Sequence, residues 1–75
     1  MQWKIETFSS YAKFGQSWLP SATVFDEKGE FVHQVTAETE DKAMEAAFDW
    51  INESKPNAYM ILTQDVNVAL VGFDS

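Results

Sequence analysis

The sequence predicts an α+β fold in which an antiparallel β-sheet of four to five strands carries one α-helix on one face, in the order β-β-β-α-β-β. Two observations lead to this prediction: one segment has the apolar spacing of a helix, and β-branched and aromatic runs lie on either side of it. At 75 residues, the chain has room for a single compact domain, residues 1–75, with a dense core. Hydrophobic residues make up 45% of it, which excludes intrinsic disorder.

Three segments predict the N-terminal part of the sheet. Trp3 and Ile5 alternate with charged residues, which predicts an initial strand ending near Phe8. Residues 22–25 and 30–36 form a hairpin around a turn at 26–29, where Gly29 can adopt a left-handed conformation. The aromatic segment between the initial strand and this hairpin fits neither the strand period nor the helix period, so we expect a loop or an irregular strand pair there. Its rings are Phe8, Tyr11, Phe14 and Trp18.

The clearest element is a helix predicted over Glu40–Ser54. Thr39 can cap it, and acidic residues in its first turn suit the helix dipole. Pro56 disfavours helical geometry in the preceding residue, so the helix must end by about Lys55. Its apolar residues share one face, which is widened on one flank. These residues are Met44, Ala47, Phe48 and Ile51, with Ala43, Ala46 and Trp50 on the flank.

Two further strands are predicted after the helix, over residues 58–63 and 66–73, around a turn at Gln64 and Asp65. Nearly every position in both is apolar, so the pattern does not identify which face is buried. The same continuity also fits one long, bent strand, which remains an alternative.

The sequence lacks the residue sets that enzymes and metal sites need. It has no Cys, no Gly-x-Ser-x-Gly turn and no glycine-rich phosphate loop. Its one histidine, His33, is predicted in mid-strand, as a packed or half-exposed residue rather than a catalytic base. The hairpin acids, Asp26, Glu27 and Glu30, lack the spacing of a calcium loop and are typical of a solvated turn. We therefore expect no enzymatic activity, no cofactor and no metal.

The negative charge is concentrated in one part of the chain. A net charge of −7 with no Arg argues against binding to nucleic acid or to an anionic membrane. Nine of the twelve acids lie within residues 26–53. Four of them recur at every fourth residue, opposite the apolar face of the helix: Asp41, Glu45, Asp49 and Glu53. This acidic stripe weakens the helix slightly, and it is either a binding face or a solvated surface that maintains solubility.

The aromatic segment is a second candidate for partner binding. Trp and Tyr are enriched at the centres of protein interfaces, and Tyr11 and Trp18 are the rings that we most expect to be partly exposed. The alternative is that these rings fill the sheet face that a single helix leaves open. A partner or a second copy of the chain could also cover that face.

The hairpin and helix over residues 22–52 resemble two known arrangements. One is the last part of a double-stranded-RNA-binding domain, a family in which the last helix begins with lysines that contact phosphates. The matching residues here, 38–42, are Glu-Thr-Glu-Asp-Lys, which carry the wrong charge for RNA. The other is a small antitoxin-type fold with a β-hairpin sheet and a helix.

The sequence therefore predicts a small, non-enzymatic module that binds a basic surface of a partner protein. The predicted binding residues are the acidic stripe, the hairpin acids and the two rings. The basic surface could be a groove that binds nucleic acid. Small acidic proteins that block such grooves, for example phage-encoded inhibitors of host defence, have this character. The alternative is an antitoxin-like or regulatory subunit that dimerises through its sheet, and a small enzyme is the third hypothesis. No apolar run has the length of a signal peptide or a membrane span, so we expect a cytoplasmic protein.

Overall fold

The described part of the chain forms a five-stranded antiparallel sheet with one α-helix packed against it, as seen in a computed structural model. The backbone is described for residues 2–14 and 17–74, and the side chains for residues 2–8 and 19–74. The element order is β-β-β-α-β-β, which confirms the predicted α+β fold. The bounds are β1 Gln2–Phe14, β2 Ser17–Phe25, β3 Phe31–Thr36, α1 Glu40–Ser54, β4 Ala58–Leu62 and β5 Val68–Phe73.

The strands lie in the order β3-β2-β1-β5-β4, so the first and last strands pair inside the sheet and β3 and β4 form its edges. The register of β1 and β2 shifts between Phe8 and Ala12. The aromatic segment is therefore an irregular strand pair, one of the two predicted forms. The predicted end of the first strand near Phe8 was wrong, and so was the predicted start of the second at Ala22. Each strand is longer because pairing with its neighbour extends it through residues of weak β pattern.

The two C-terminal segments are separate strands joined by a turn, so the alternative of one long strand was wrong. Both are slightly shorter than predicted, because the turn takes up Thr63, Val66 and Asn67. The Thr63 hydroxyl donates to the carbonyl oxygen of Asp65 at 2.9 Å. The Asp65 carboxylate accepts from the backbone N–H of Asn67, also at 2.9 Å.

The core lies between α1 and the sheet. Its fully buried residues are Ile5, Ala22, Val24, Ala43, Ala47, Ile51 and Val71. Burial contributes about 1.5–3 kcal/mol for each of the larger aliphatic side chains. Ala46, predicted to widen the apolar face, is exposed instead. The buried face is centred on Ala43 and Ala47, and Ala46 points about 80° away from that centre around the helix axis.

The helix begins and ends where the sequence predicts. The Thr39 hydroxyl accepts a hydrogen bond from the backbone N–H of Lys42 at 3.1 Å, and Lys55 is the C-terminal cap. Asn57 then turns the chain towards β4 with a φ of 73°, a conformation that Asn tolerates better than most residues. Gly29 has a φ of 83° in the hairpin turn, as its predicted left-handed position requires.

The helix lies mainly over β1, β2 and β3 and makes fewer contacts with β4. On the opposite face of the sheet, the ring of Tyr59 in β4 lies directly over Gly72 in β5. A Cβ atom placed at Gly72 would come within 2.5 Å of Tyr59 Cζ. The aromatic ring and the glycine thus form a close cross-strand pair on the face that the helix does not cover.

Candidate functional site

The acidic stripe lies on the outer surface of α1, facing away from the sheet. All four of its side chains are exposed: Asp41, Glu45, Asp49 and Glu53. Each four-residue step advances by about 40° around a helix, so the stripe is not straight. It runs from the flank that carries Phe48 towards the flank that carries Trp50, over about 6 Å of helix axis per step.

Among the described residues, no lysine forms an ion pair with the stripe. The ion pairs among these residues involve other acids: Lys4 Nζ lies 3.0 Å from Glu6 Oε2, and Lys42 Nζ lies 3.4 Å from Glu38 Oε2. Lys55 lies instead over the Trp3 ring, with Nζ 5.4 Å from the ring centroid. As far as the described side chains go, the stripe carboxylates are therefore left to interact with solvent or with cations of another molecule.

The helix that carries the stripe is fixed to the sheet along its flank as well as through its buried face. The imidazole of His33 in β3 stacks on the indole of Trp50, with ring centroids 4.1 Å apart and an interplanar angle of 10°. His33 is half-buried, as predicted for a packed strand residue. Among the described residues, no three His, Asp or Glu side chains come together in a way that could hold a metal ion.

Asp26 is a structural residue of the hairpin turn. Its Oδ1 accepts hydrogen bonds from the backbone N–H groups of Lys28 and Glu30, at 2.9 and 3.0 Å. The backbone of Asp26 closes the same turn by accepting from the N–H of Gly29 at 3.0 Å. Because these bonds use one carboxylate oxygen, Asp26 is less available to a partner than the sequence predicts.

Glu27 links the hairpin to the N-terminal strand. Its Oε2 accepts a hydrogen bond from Trp3 Nε1 at 2.7 Å. The same indole ring lies under Lys55 at the end of α1, so the hairpin tip and the C-terminal end of the helix meet at Trp3. Glu30 is exposed in the same hairpin turn. The structure thus brings Glu27 of the hairpin to the C-terminal end of the helix that carries the acidic stripe, which the sequence pattern does not predict.

Tyr11 and Trp18, whose rings were predicted to bind a partner, belong to strands β1 and β2. Their side chains are outside the described residues. Sequence reasoning missed a different exposed apolar set in β4, where Tyr59 and Leu62 are exposed. The signal for it is a run of five residues without charge. Whether such a strand lies inside the sheet or at its edge depends on the strand order, and the sequence of the run does not reveal that order.

Within the described part of the chain, no helix is long and apolar enough to cross a membrane. No protein-family model, curated protein or solved structure matches this chain.

Proposed function

We propose that this protein is a non-enzymatic module that binds a basic surface of a partner protein through its acidic stripe, with Glu27 and Glu30 of the hairpin as further contacts. The observation that carries the proposal is that the stripe carboxylates are exposed and form no ion pair with any described lysine, on a helix that is otherwise well anchored. A partner that supplies lysines or arginines would satisfy them.

The stripe lowers the stability of the helix that carries it. Like charges four residues apart cost about 0.2–0.5 kcal/mol per pair. Asp49 and Glu53 also lie in the C-terminal half of the helix, where the helix dipole disfavours negative charge. A lysine at either position would remove these costs, so the sequence gives up some helix stability while keeping the stripe. Binding to a cationic surface adds attractive interactions that offset this repulsion.

The spacing of the stripe suits a groove that binds nucleic acid. Its carboxylates repeat about every 6 Å along the helix axis, whereas one strand of B-DNA carries a phosphate about every 3.4 Å. The stripe therefore offers a regular line of negative charge at lower density than DNA. Because the helix is fixed by Ala43, Ala47 and Ile51 in the core, little ordering is needed on binding. The proposed role is that of an inhibitor that occupies such a groove, as phage-encoded anti-defence proteins do.

The test compares two variants that change the net charge by the same amount. The double reversal Glu45→Lys and Asp49→Lys alters the stripe, and the control combines Gln2→Lys, Gln64→Lys and Asp74→Lys at exposed positions elsewhere. Each chain is immobilised and exposed to extract of the native cell, and captured proteins are eluted with salt or with duplex DNA. We expect the wild type and the control to retain a basic protein that both eluants release, and the stripe variant to lose it. Equal capture by all three chains contradicts the proposal.

The alternative function, an antitoxin-like or regulatory subunit that dimerises through its sheet, is favoured by a separate observation. Tyr59 and Leu62 are exposed on an edge strand that carries no charge. This edge does not overlap the acidic stripe, so a dimer and a stripe-bound partner are compatible.

A further inference from the structure

The edge strand β4 has the features of an unprotected pairing site. Its sequence is Ala-Tyr-Met-Ile-Leu, with Tyr59 47% and Leu62 77% exposed. Of the described strands, only β5 pairs with it, so the outer N–H and C=O groups of β4 lack a strand partner within that sheet. An uncharged, apolar edge of this kind is a template for another strand.

The opposite edge, β3, is protected in two ways that β4 is not. The pairing of β2 with β3 is irregular between Val24 and Phe25, and such bulges disrupt an edge and twist it. The exposed residues Glu30 and Glu38 flank β3 and oppose the approach of a like-charged chain. By contrast, β4 pairs with β5 in an unbroken register. The structure therefore leaves β4 as the edge open to a further strand.

The charge distribution indicates which molecule supplies the further strand that pairs with β4. The one charged residue in 58–73 is Asp65, in the turn between β4 and β5. The acidic stripe and the hairpin acids lie with α1 and β3, towards the other edge of the sheet. Two chains of net charge −7 repel each other unless their contact excludes these acids, and a contact through β4 excludes them. A basic protein would instead be attracted to the acidic side, so the uncharged edge fits a second copy of this chain.

We propose that β4 pairs antiparallel with β4 of a second copy, around a two-fold axis at Met60, so that two five-stranded sheets join into one. Tyr59 then lies opposite Ile61 of the second copy, an aromatic and β-branched pair that stabilises antiparallel sheets. Ala58 lies opposite Leu62 of the second copy, which places a small side chain against a large one. The contact is isologous and closed, as expected for a homodimer. It goes beyond the stripe-binding function, because it leaves both acidic stripes exposed, and it specifies which strand would form the sheet dimer of the alternative function.

Sedimentation of the full chain tests the pairing. We expect the weight-average mass to rise from 8.5 kDa towards twice that value as concentration increases from about 1 µM to about 1 mM. Leu62→Lys places a charge on the edge and should hold the chain at 8.5 kDa. The matched control is Phe31→Lys, because Phe31 is 63% exposed on the opposite edge, and it should dimerise like the wild type. Circular dichroism establishes that both variants fold.

Disulfide cross-linking tests the register. The chain has no cysteine, so Met60→Cys introduces a single thiol at the proposed axis. Directly opposed residues of antiparallel strands have Cα atoms about 4.5–5.5 Å apart, which is within the range of a disulfide. We expect Met60→Cys to give a covalent dimer on mild oxidation and Phe31→Cys to remain largely monomeric. Cross-linking through Phe31→Cys in preference to Met60→Cys would overturn the proposal.

Salt separates this proposal from the proposed function. Screening weakens the repulsion between the two acidic chains, so the dimer should persist or strengthen at high salt, whereas a basic partner should dissociate. The Glu45→Lys and Asp49→Lys variant should lose the partner and keep the dimer. A chain that stays monomeric at all concentrations, or a dimer that Leu62→Lys leaves intact, overturns the pairing. In the first case β4 is left for a strand of another protein.

Discussion

The imidazole of His33 stacks face to face on the indole of Trp50, with ring centroids 4.1 Å apart and planes 10° from parallel. This contact joins β3 to the flank of α1 towards which the acidic stripe runs. Ala43, Ala47 and Ile51 fix the inner surface of the helix, and the stack fixes its rotation about that surface. The histidine therefore has a structural role, namely to help hold the stripe carboxylates in place.

A double-mutant cycle on His33→Ala and Trp50→Ala tests this role. Aromatic pairs contribute about 0.5–1.5 kcal/mol beyond their buried area, so we expect a coupling free energy in that range. Urea denaturation followed by circular dichroism provides the measurement. The control cycle pairs His33→Ala with Phe48→Ala, because Phe48 lies on the opposite flank of α1, and it should be additive within about 0.5 kcal/mol. Equal coupling in the two cycles would show that the stack contributes nothing specific.

The helix could be predicted closely because its signals are local. Thr39 caps it and Pro56 ends it, and both act within one turn of the chain. The exposure of Ala46 could not be predicted, because alanine fits the edge of an apolar face as well as its solvent side. The buried centre is set by which residues the sheet can approach, and that depends on the neighbouring strands.

The sheet was predictable in composition but not in arrangement. Alternation at Trp3 and Ile5 predicts a strand, but not that β1 pairs with the last strand, β5, from the same chain. Nearly all positions of β4 and β5 are apolar, so the sequence does not show that Tyr59 faces away from the helix. The stripe followed directly from helical spacing. The link from Glu27 through Trp3 to Lys55 depends on contacts between distant segments, which carry no local signal.

Asp49→Lys should stabilise the protein while weakening partner binding. It replaces two repulsive i,i+4 pairs, with Glu45 and Glu53, by attractive ones, and it puts a cation where the helix dipole favours it. We expect the free energy of unfolding to rise by about 0.5–1 kcal/mol at low ionic strength, and by less at high salt. Urea denaturation at both ionic strengths measures the change.

The control for Asp49→Lys is Asp41→Lys, the same substitution in the first turn of the helix. There the dipole favours the aspartate, so the gain should be smaller or absent. A loss of stability in Asp49→Lys at low salt would contradict the charge argument.

Thr39→Ala should destabilise the protein by about 1 kcal/mol, because the backbone N–H of Lys42 loses the hydroxyl that caps it at 3.1 Å. For a domain of this size, that loss corresponds to a decrease in Tm of about 4–8 °C. Thermal unfolding followed by circular dichroism provides the measurement. Thr39→Ser keeps the hydroxyl and should retain most of the stability, so equal Tm values for the two variants would exclude the capping role.

The pairing of Tyr59 with Gly72 predicts that Gly72→Ala changes the free energy of unfolding in opposite directions, depending on whether residue 59 is tyrosine or alanine. A Cβ at Gly72 would lie 2.5 Å from Tyr59 Cζ, so Gly72→Ala must displace the ring from the sheet. The lost packing should outweigh the advantage of alanine over glycine in a strand, which is about 0.5–1 kcal/mol. We therefore expect Gly72→Ala to lower the free energy of unfolding in the wild type and to raise it in a Tyr59→Ala background. Urea denaturation of the four chains measures both effects, and the same sign in both backgrounds would mean that the ring does not lie over the glycine in solution.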